Sequence, residues 1–214
     1  MENKNLILET LQMQPLSEEE KASRHILGRL YGPIATCKGS TRNGRKYNKQ
    51  LWENALKDEV FNEKVANKSL FLELGHPADR EETDMEKIAL CLAEVPKKGS
   101  DGKLRAVFDI LNTPNGRILK SLCDYGSILG VSSRGQGDLI TDENGDEAVD
   151  PDTYECECWD IVLVPAVESA RMQYVTEGLN TKAVKMKQAL NESLNSASEE
   201  ERKIMEKTLS RGQR

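Results

Sequence analysis

The stretch KIALCLAEVPKKGSDGKLRAVFDI, residues 87–110, is the part of this sequence that decides the fold. Two short apolar runs, 87–95 and 104–110, are rich in Ile, Leu, Val and Ala, and the turn-forming run GSDG (99–102) lies between them. Apolar runs of this length bounded by Gly, Ser and Asp are typical of β-strands joined by turns. We therefore predict two strands here, at Lys87–Val95 and Leu104–Ile110.

The same texture extends from residue 27 to residue 170, where short apolar runs alternate with Gly, Pro, Asn and Asp. It predicts further strands at Ile26–Ile34, Ile128–Ser132 and Cys158–Val164. Two segments instead have apolar residues at helical spacing, Lys49–Glu59 and Gly116–Tyr125. The predicted fold class is α+β, with a β-barrel-like core of mostly antiparallel strands, flanking helices and a C-terminal helical tail.

Both ends of the chain differ from this central part. Residues 1–24 are polar and form a predicted N-terminal arm, whereas residues 25–175 form the predicted central domain. Residues 176–214 form the tail, in which 181–209 contain neither Pro nor Gly. The basic character of this tail favours a detachable or partner-binding segment, and a solvated terminal helix explains it equally well.

Composition excludes several classes of protein. The chain has 214 residues, 30 basic and 36 acidic, and a net charge of −6, which disfavours nucleic-acid binding. It has no apolar run long enough to span a membrane and no secretory signal, so we expect a cytoplasmic protein. Its five cysteines are odd in number and lack metal-ligand spacing, so we expect reduced thiols and no metal site.

Two short stretches could contribute to catalysis. His76 lies between Gly75 and Pro77, in a constrained but reachable position that suits a general base. Ser132 and Ser133 lie in the glycine-flanked run 130–137, and sharp turns of this kind suit a nucleophile with nearby amide donors. The structural alternatives are a histidine without catalytic role and a Ser/Gly loop that closes a hairpin.

A third residue would have to orient the histidine. Asp160 lies inside an apolar run, where a carboxylate is costly unless it is paired, and His76 could be its partner. Glu155 and Glu157 are alternative acids. The other histidine, His25, is far upstream, so a Ser-His-Asp arrangement is simpler than one with two histidines.

Four motifs together resemble the prohead core proteases of T-even-type tailed phages, which are related in fold to the herpesvirus capsid proteases. The resemblance covers about residues 28–172. The motifs occur in this order: GSTRNGRKY (39–47) followed by Trp52-Glu53, ELGHP (73–77), GVSSRG (130–135), and DIV (160–162) before Pro165.

The resemblance implies that residues 25–175 are a serine endopeptidase domain. It implies His76 as the family histidine, Ser132 as nucleophile with Ser133 as fallback, and Asp160 as third member. The herpesvirus relatives have a second histidine at that third place, and this chain departs from them. Arg134 is expected to support the oxyanion through its backbone N–H or a water held by its guanidinium, with Ser133 as a second support residue. A surface arginine without catalytic role is an equally good interpretation of Arg134. No cofactor or metal is implied.

The resemblance also implies a place and partners. The enzyme would act inside the assembling prohead in the host cytoplasm, on scaffold or core proteins, the major capsid protein and itself. Neither a membrane nor direct nucleic-acid binding is expected, and self-association into a homo-oligomer is left open. Relatives favour cleavage after Glu that follows Leu or Ile by two residues, which predicts self-cleavage after Glu9, Glu192 or Glu206.

Two other functions compete with this hypothesis. A non-enzymatic structural or scaffold component of the prohead would use the same barrel, arm and tail without any catalytic role for Ser132 or His76. An esterase with the same triad would hydrolyse small esters without needing an extended peptide.

Overall fold

A central antiparallel sheet organises the protein in the computed structural model, which describes residues 16–37, 41–77, 80 and 82–175. Its six strands run in the order β10-β1-β5-β3-β2, and β4 also pairs with β5. The elements in chain order are α1 (Glu18–Ser23), β1 (Ile26–Thr36), α2 (Lys49–Ala55), α3 (Glu59–Ala66), β2 (Phe71–Glu73), β3 (Ile88–Leu92), β4 (Lys97–Lys98), β5 (Lys103–Leu111), α4 (Pro114–Tyr125), β6 (Gly130–Gln136), β7 (Leu139–Thr141), β8 (Glu147–Val149), β9 (Glu155–Val162) and β10 (Gln173–Tyr174).

The pair of strands predicted in residues 87–110 is confirmed at the centre of this sheet. β3 and β5 are antiparallel, with Cys91 opposite Asp109. The first strand is shorter than predicted, because the chain leaves β3 and pairs again with β5 as the short strand β4 before the turn. β5 also pairs along nearly its whole length with β1, so it has partners on both sides.

The predicted α+β class with mostly antiparallel strands is confirmed, but the described strands do not form a closed barrel. β6 and β9 form a separate two-stranded sheet, as do β7 and β8. Isolated bridges join the β6–β9 pair to its neighbours, through Leu74 with Ile161 on one side and Gly130 with Arg171 on the other. The arrangement is therefore barrel-like and interrupted. The bridge at Leu74 matters most here, because it brings the end of β2 beside β9.

The core lies between the sheets and the helices. Its largest fully buried side chains include Trp159 on β9 and Phe108 on β5. Trp52 of α2 stacks on Trp159, with their ring centroids 6.1 Å apart. Burial of such aromatic side chains contributes about 1.5–3 kcal/mol each, so this contact fixes β9 against α2.

The helix predicted at Lys49–Glu59 extends only to Ala55, and a second helix begins at Glu59. α2 ends at Ala55, and Asp58 begins α3 as its N-cap, with its side chain accepting a hydrogen bond from the Phe61 N–H at 2.7 Å. Because Asp is among the preferred N-cap residues, it starts a new helix here more readily than it continues the old one. The prediction also missed α3 and β2.

The ends of the chain are only partly described. Within the predicted arm, α1 is a short helix that begins with a capping box between Ser17 and Glu20. Residues 1–15 and the predicted tail, 176–214, lie outside the described residues. Within the described part, no helix has the length and apolar character needed to cross a membrane.

Candidate active site

Strands β6 and β9 place Ser132 directly opposite Asp160. Their antiparallel register pairs Ser132 with Asp160 and Ser133 with Trp159. Because side chains alternate between the two faces of a strand, Ser132 shares a face with Asp160 and Ser133 lies on the other. Burial raises the pKa of Tyr154 well above its usual value, and the nearby Ser133 side chain acts against that rise. The register therefore separates the two serines that the sequence left side by side.

His76 reaches the same face from the end of β2. The Gly75 N–H donates to the Ile161 carbonyl at 2.9 Å, which fixes the chain beside β9 just before the histidine. The Nδ1 atom of His76 lies 2.9 Å from Asp160 Oδ2. Its side chain is 40% exposed, whereas that of Asp160 is fully buried. The imidazole is thus bound to the acid on one side and accessible on the other.

Asp160 is surrounded by hydrogen-bond donors. The Glu73 backbone N–H donates to Oδ1 at 3.1 Å. Arg134 meets both oxygens, with Nε 3.0 Å from Oδ2 and Nη2 3.2 Å from Oδ1. A buried carboxylate is stable only when it is paired and its lone pairs are satisfied, and this one meets both conditions.

A second buried carboxylate lies behind the first. Glu73 is 1% exposed and pairs with the guanidinium of Arg80. Its Oε1 accepts from the Asp84 N–H at 2.7 Å and lies 3.3 Å from Arg134 Nη2. Burial acts to raise the pKa of Glu73, but the hydrogen bonds from Arg80 and the Asp84 N–H and the charge of Arg134 outweigh it and lower that pKa.

The guanidinium of Arg134 lies against two carboxylates, and its support of an oxyanion stays a prediction. Its side chain is 5% exposed and is bound to Asp160 and Glu73, and Arg134 also lines the cavity described below. The Val131 N–H donates to Ala170, on the side away from β9. By alternation along the strand, the Arg134 N–H faces β9 and belongs to the sheet.

A cavity of about 360 Å³ opens beside His76 and reaches both serines of β6. Its lining includes His76, Ser132 and Ser133, the aromatic residues Tyr47 and Trp52, and the charged side chains of Arg45 and Arg80. Ligand sites are typically concave, largely apolar and furnished with a few polar groups. This cavity brings the proposed nucleophile and base to one accessible surface.

Cysteine chemistry is disfavoured beside this site. Burial and the charge of Asp160 raise the pKa of Cys158 to about 12. Burial raises the pKa of Cys156 as well. Since the thiolate is the reactive form, both side chains are inert thiols at neutral pH. All five cysteines are free.

The structure brings together His76, Ser132, Asp160, Ser133 and Arg134, although Ser133 lies on the opposite face of β6. The alternative acids do not reach the histidine in this arrangement. Glu157 pairs with Lys64 at 2.9 Å, and Glu155 lies opposite Gln136 farther along β9. The candidate cleavage positions Glu9, Glu192 and Glu206 lie outside the described residues. No group of three metal-ligating side chains occurs among residues 16–37, 41–77, 80 and 82–175.

Sequence reasoning missed Glu73 and Arg80. Glu73 stands in the apolar run Phe71–Leu74, where a carboxylate is costly unless it is paired, as for Asp160. Arg80 lies in a polar segment in which nothing distinguishes it from other surface arginines.

We expect Gly75→Ala to impair catalysis through His76. Gly75 has φ +102°, a conformation that costs an L-residue about 1–2 kcal/mol. An added Cβ would meet no atom within 4 Å, so the change acts through the backbone alone. We expect kcat/KM to fall about 100-fold as the imidazole moves from its place, measured on a peptide that spans residues 186–197.

Gly145→Ala is the matched control for this substitution. Gly145 has φ +83° in the β7–β8 turn, and its added Cβ also meets no atom within 4 Å. It should lose similar stability and retain activity. Equal loss of activity in both variants would contradict a specific role of Gly75.

Comparison with known proteins bears on this site. The family model for the prohead core protein serine protease matches residues 32–181. Among solved structures, the chain is similar to the bacteriophage T4 capsid assembly protease, gp21, with 25% identity and a TM-score of 0.55, over 63% of this chain and 80% of that one. The comparison with curated proteins gives no match. The resemblance inferred from the four motifs is confirmed.

Proposed function

This chain belongs to the prohead core protein serine protease family, and from that premise we propose that Ser132, His76 and Asp160 are its nucleophile, general base and orienting acid. One observation supports this assignment above the others. Asp160 is the direct cross-strand partner of Ser132 and lies 2.9 Å from His76 Nδ1.

The geometry suits acyl transfer. Because Nδ1 faces the Asp160 carboxylate, it holds the ring proton and leaves Nε2 free to accept one. His76 Nε2 takes the proton of Ser132 Oγ, Oγ attacks the scissile carbonyl, and His76 returns the proton to the leaving amine. Water then hydrolyses the acyl-enzyme by the same proton path. Asp160 holds the imidazole in the required tautomer and stabilises the imidazolium that forms.

The family is that of the prohead core protein serine protease, which supports a site of action inside the prohead and prohead proteins as substrates. The similar T4 protein is described as a capsid assembly protease. We propose that this chain cleaves scaffold or core proteins and the major capsid protein inside proheads that assemble in the host cytoplasm. Self-association into a homo-oligomer stays a prediction.

We further propose that the enzyme shortens itself after Glu9, Glu192 or Glu206. Each of these residues follows Leu or Ile by two positions, and all three lie in the arm or tail. Intact-mass analysis of the purified full chain over time should show loss of terminal segments that end at these residues. The Ser132→Ala chain, incubated identically, should keep its full mass.

Two outcomes would contradict these proposals. Shortening of the Ser132→Ala chain at the wild-type rate would contradict Ser132 as nucleophile. An unchanged wild-type mass, with cleavage of added peptides intact, would contradict self-processing alone.

A further inference from the structure

We propose that Arg134 is a positioning residue that acts on His76 through its ion pair with Asp160, and that Glu73 fixes Arg134 in that place. This inference rests on the triad proposed above. It gives Arg134 a role behind the acid.

Arg134 contacts both oxygens of Asp160. Nη2 donates to Oδ1 at 3.2 Å, and Nε forms an ion-pair contact with Oδ2 at 3.0 Å without the geometry of a hydrogen bond. A guanidinium that contacts both oxygens constrains the plane of the carboxylate and also compensates its charge. Since His76 binds Oδ2, the plane that Arg134 imposes also determines where the imidazole lies.

The guanidinium of Arg134 also contacts groups on the side away from Asp160. Its Nη1 donates to the Glu82 carbonyl at 2.9 Å, and its Nη2 lies 3.3 Å from Glu73 Oε1. Glu73 is held in turn by Arg80 and by the Asp84 N–H. The four charged side chains therefore alternate in sign, in the order Asp160, Arg134, Glu73 and Arg80, and the first three are almost fully buried.

This alternation determines the proton affinity of the histidine. An aspartate alone beside His76 would favour the imidazolium, and a protonated His76 cannot accept the proton of Ser132. Arg134 neutralises that aspartate and repels a proton on the imidazole. The charged groups around the His76–Asp160 pair are Arg134 from β6, which contacts Asp160, and Arg45 and Arg80, which line the cavity with His76. The Glu73 backbone N–H from β2 and the neutral Cys158 thiol from β9 also face Asp160.

Two substitutions should shift the titration of the pair in opposite directions. Arg134→Met leaves two buried carboxylates uncompensated, so the titration midpoint of His76 should rise by about one pH unit or more. Glu73→Gln removes a negative charge while it preserves the shape of the side chain, so the midpoint should fall. Arg134→Lys should restore the midpoint toward the wild-type value, but with less activity than Arg because Lys lacks the fork.

Histidine NMR can measure this shift without relying on catalysis. The chain has two histidines, and His25→Asn leaves His76 as the sole reporter. Asn suits that position because His25 has φ +55°, a left-handed conformation that Asn tolerates. The full chain also carries Ser132→Ala, so that it stays intact during the titration. In the chain with Ser132 restored, the acid limb of the pH dependence of fluorophosphonate labelling should move with the midpoint.

Arg105→Met is the matched control. Arg105 is 6% exposed and makes a similar two-point contact with Asp101, at 2.9 and 2.8 Å, but it does not line the cavity. It should lower stability and leave the His76 midpoint unchanged. An unshifted midpoint in Arg134→Met, or a shift of the same sign in Glu73→Gln, would overturn the inference.

If Arg134→Met does not fold, Glu73→Gln still tests the inference. A His76 titration midpoint that does not fall in Glu73→Gln would also overturn the inference. Failure of the triad itself has a different signature. It would appear as fluorophosphonate labelling that survives His76→Ala, whatever the behaviour of the Arg134 variants.

Discussion

Ser132→Ala should reduce peptide cleavage by about 10⁴-fold or more, because removal of the nucleophile leaves only binding and electrostatic assistance. The substitution removes one hydroxyl at a half-buried position, so the free energy of unfolding should change little. The measurement is kcat/KM on the peptide of residues 186–197, compared with Ser133→Ala.

Ser133→Ala is the sharpest control that the chain offers. It makes the same chemical change one residue along β6, but on the face that lies toward Trp159 and Tyr154. We expect it to keep activity within about tenfold of the wild type, since it removes a contact to Tyr154 and no reacting group. A larger loss from Ser133→Ala than from Ser132→Ala would make Ser133 the nucleophile. Absence of peptide cleavage by all three chains would favour a structural prohead component.

Asp160→Asn should reduce kcat by about 10³- to 10⁴-fold, through the tautomer of His76. Every group that contacts the Asp160 carboxylate carries a hydrogen: the Glu73 N–H, the Cys158 thiol, two nitrogens of Arg134 and His76 Nδ1. An amide offers one acceptor oxygen and one NH₂ group, so it cannot satisfy both sides. If the oxygen stays with Arg134, the NH₂ faces His76, Nδ1 becomes the acceptor, and Nε2 carries the proton and cannot act as base.

Asp109→Asn provides the comparison. Asp109 pairs with Arg29 at 2.7 Å on β5, is only 16% exposed and does not line the cavity. We expect both variants to lose stability. The loss should be larger in Asp160→Asn, at about 3 kcal/mol, because the Asp160 carboxylate compensates the charge of the buried Arg134. Only in Asp160→Asn should the fall in kcat be much larger than the fraction of unfolded protein explains. Full activity in folded Asp160→Asn would remove Asp160 from the triad.

Several features of the fold could be predicted because their signals are local. The strands at residues 88–92 and 103–111 follow from apolar runs bounded by turn residues, and α4 follows from helical spacing. The end of α2 at Ala55 was missed because the helical pattern continues to Glu59, whereas Asp58 acts as the N-cap of a new helix. β2 was missed because three residues give too short a pattern to recognise.

The candidate site shows the same limit. Asp160 could be singled out, since a carboxylate inside an apolar strand needs a partner. Its pairing with Ser132 depends on the register of β6 and β9, and that register is a long-range property that no local pattern contains. Arg134 could not be assigned from the motif alone, because only the fold shows that its side chain lies against Asp160 and Glu73.

Fluorophosphonate labelling of the full chain, with the modified residue located by peptide mapping, tests the central claim most directly. A fluorophosphonate reacts with a serine that is activated as a nucleophile, and it requires no knowledge of the natural substrate. We expect one adduct, on Ser132, that is lost in His76→Ala and strongly reduced in Asp160→Asn. An adduct on Ser133, or one on Ser132 that forms at the wild-type rate without His76, would contradict the proposed triad.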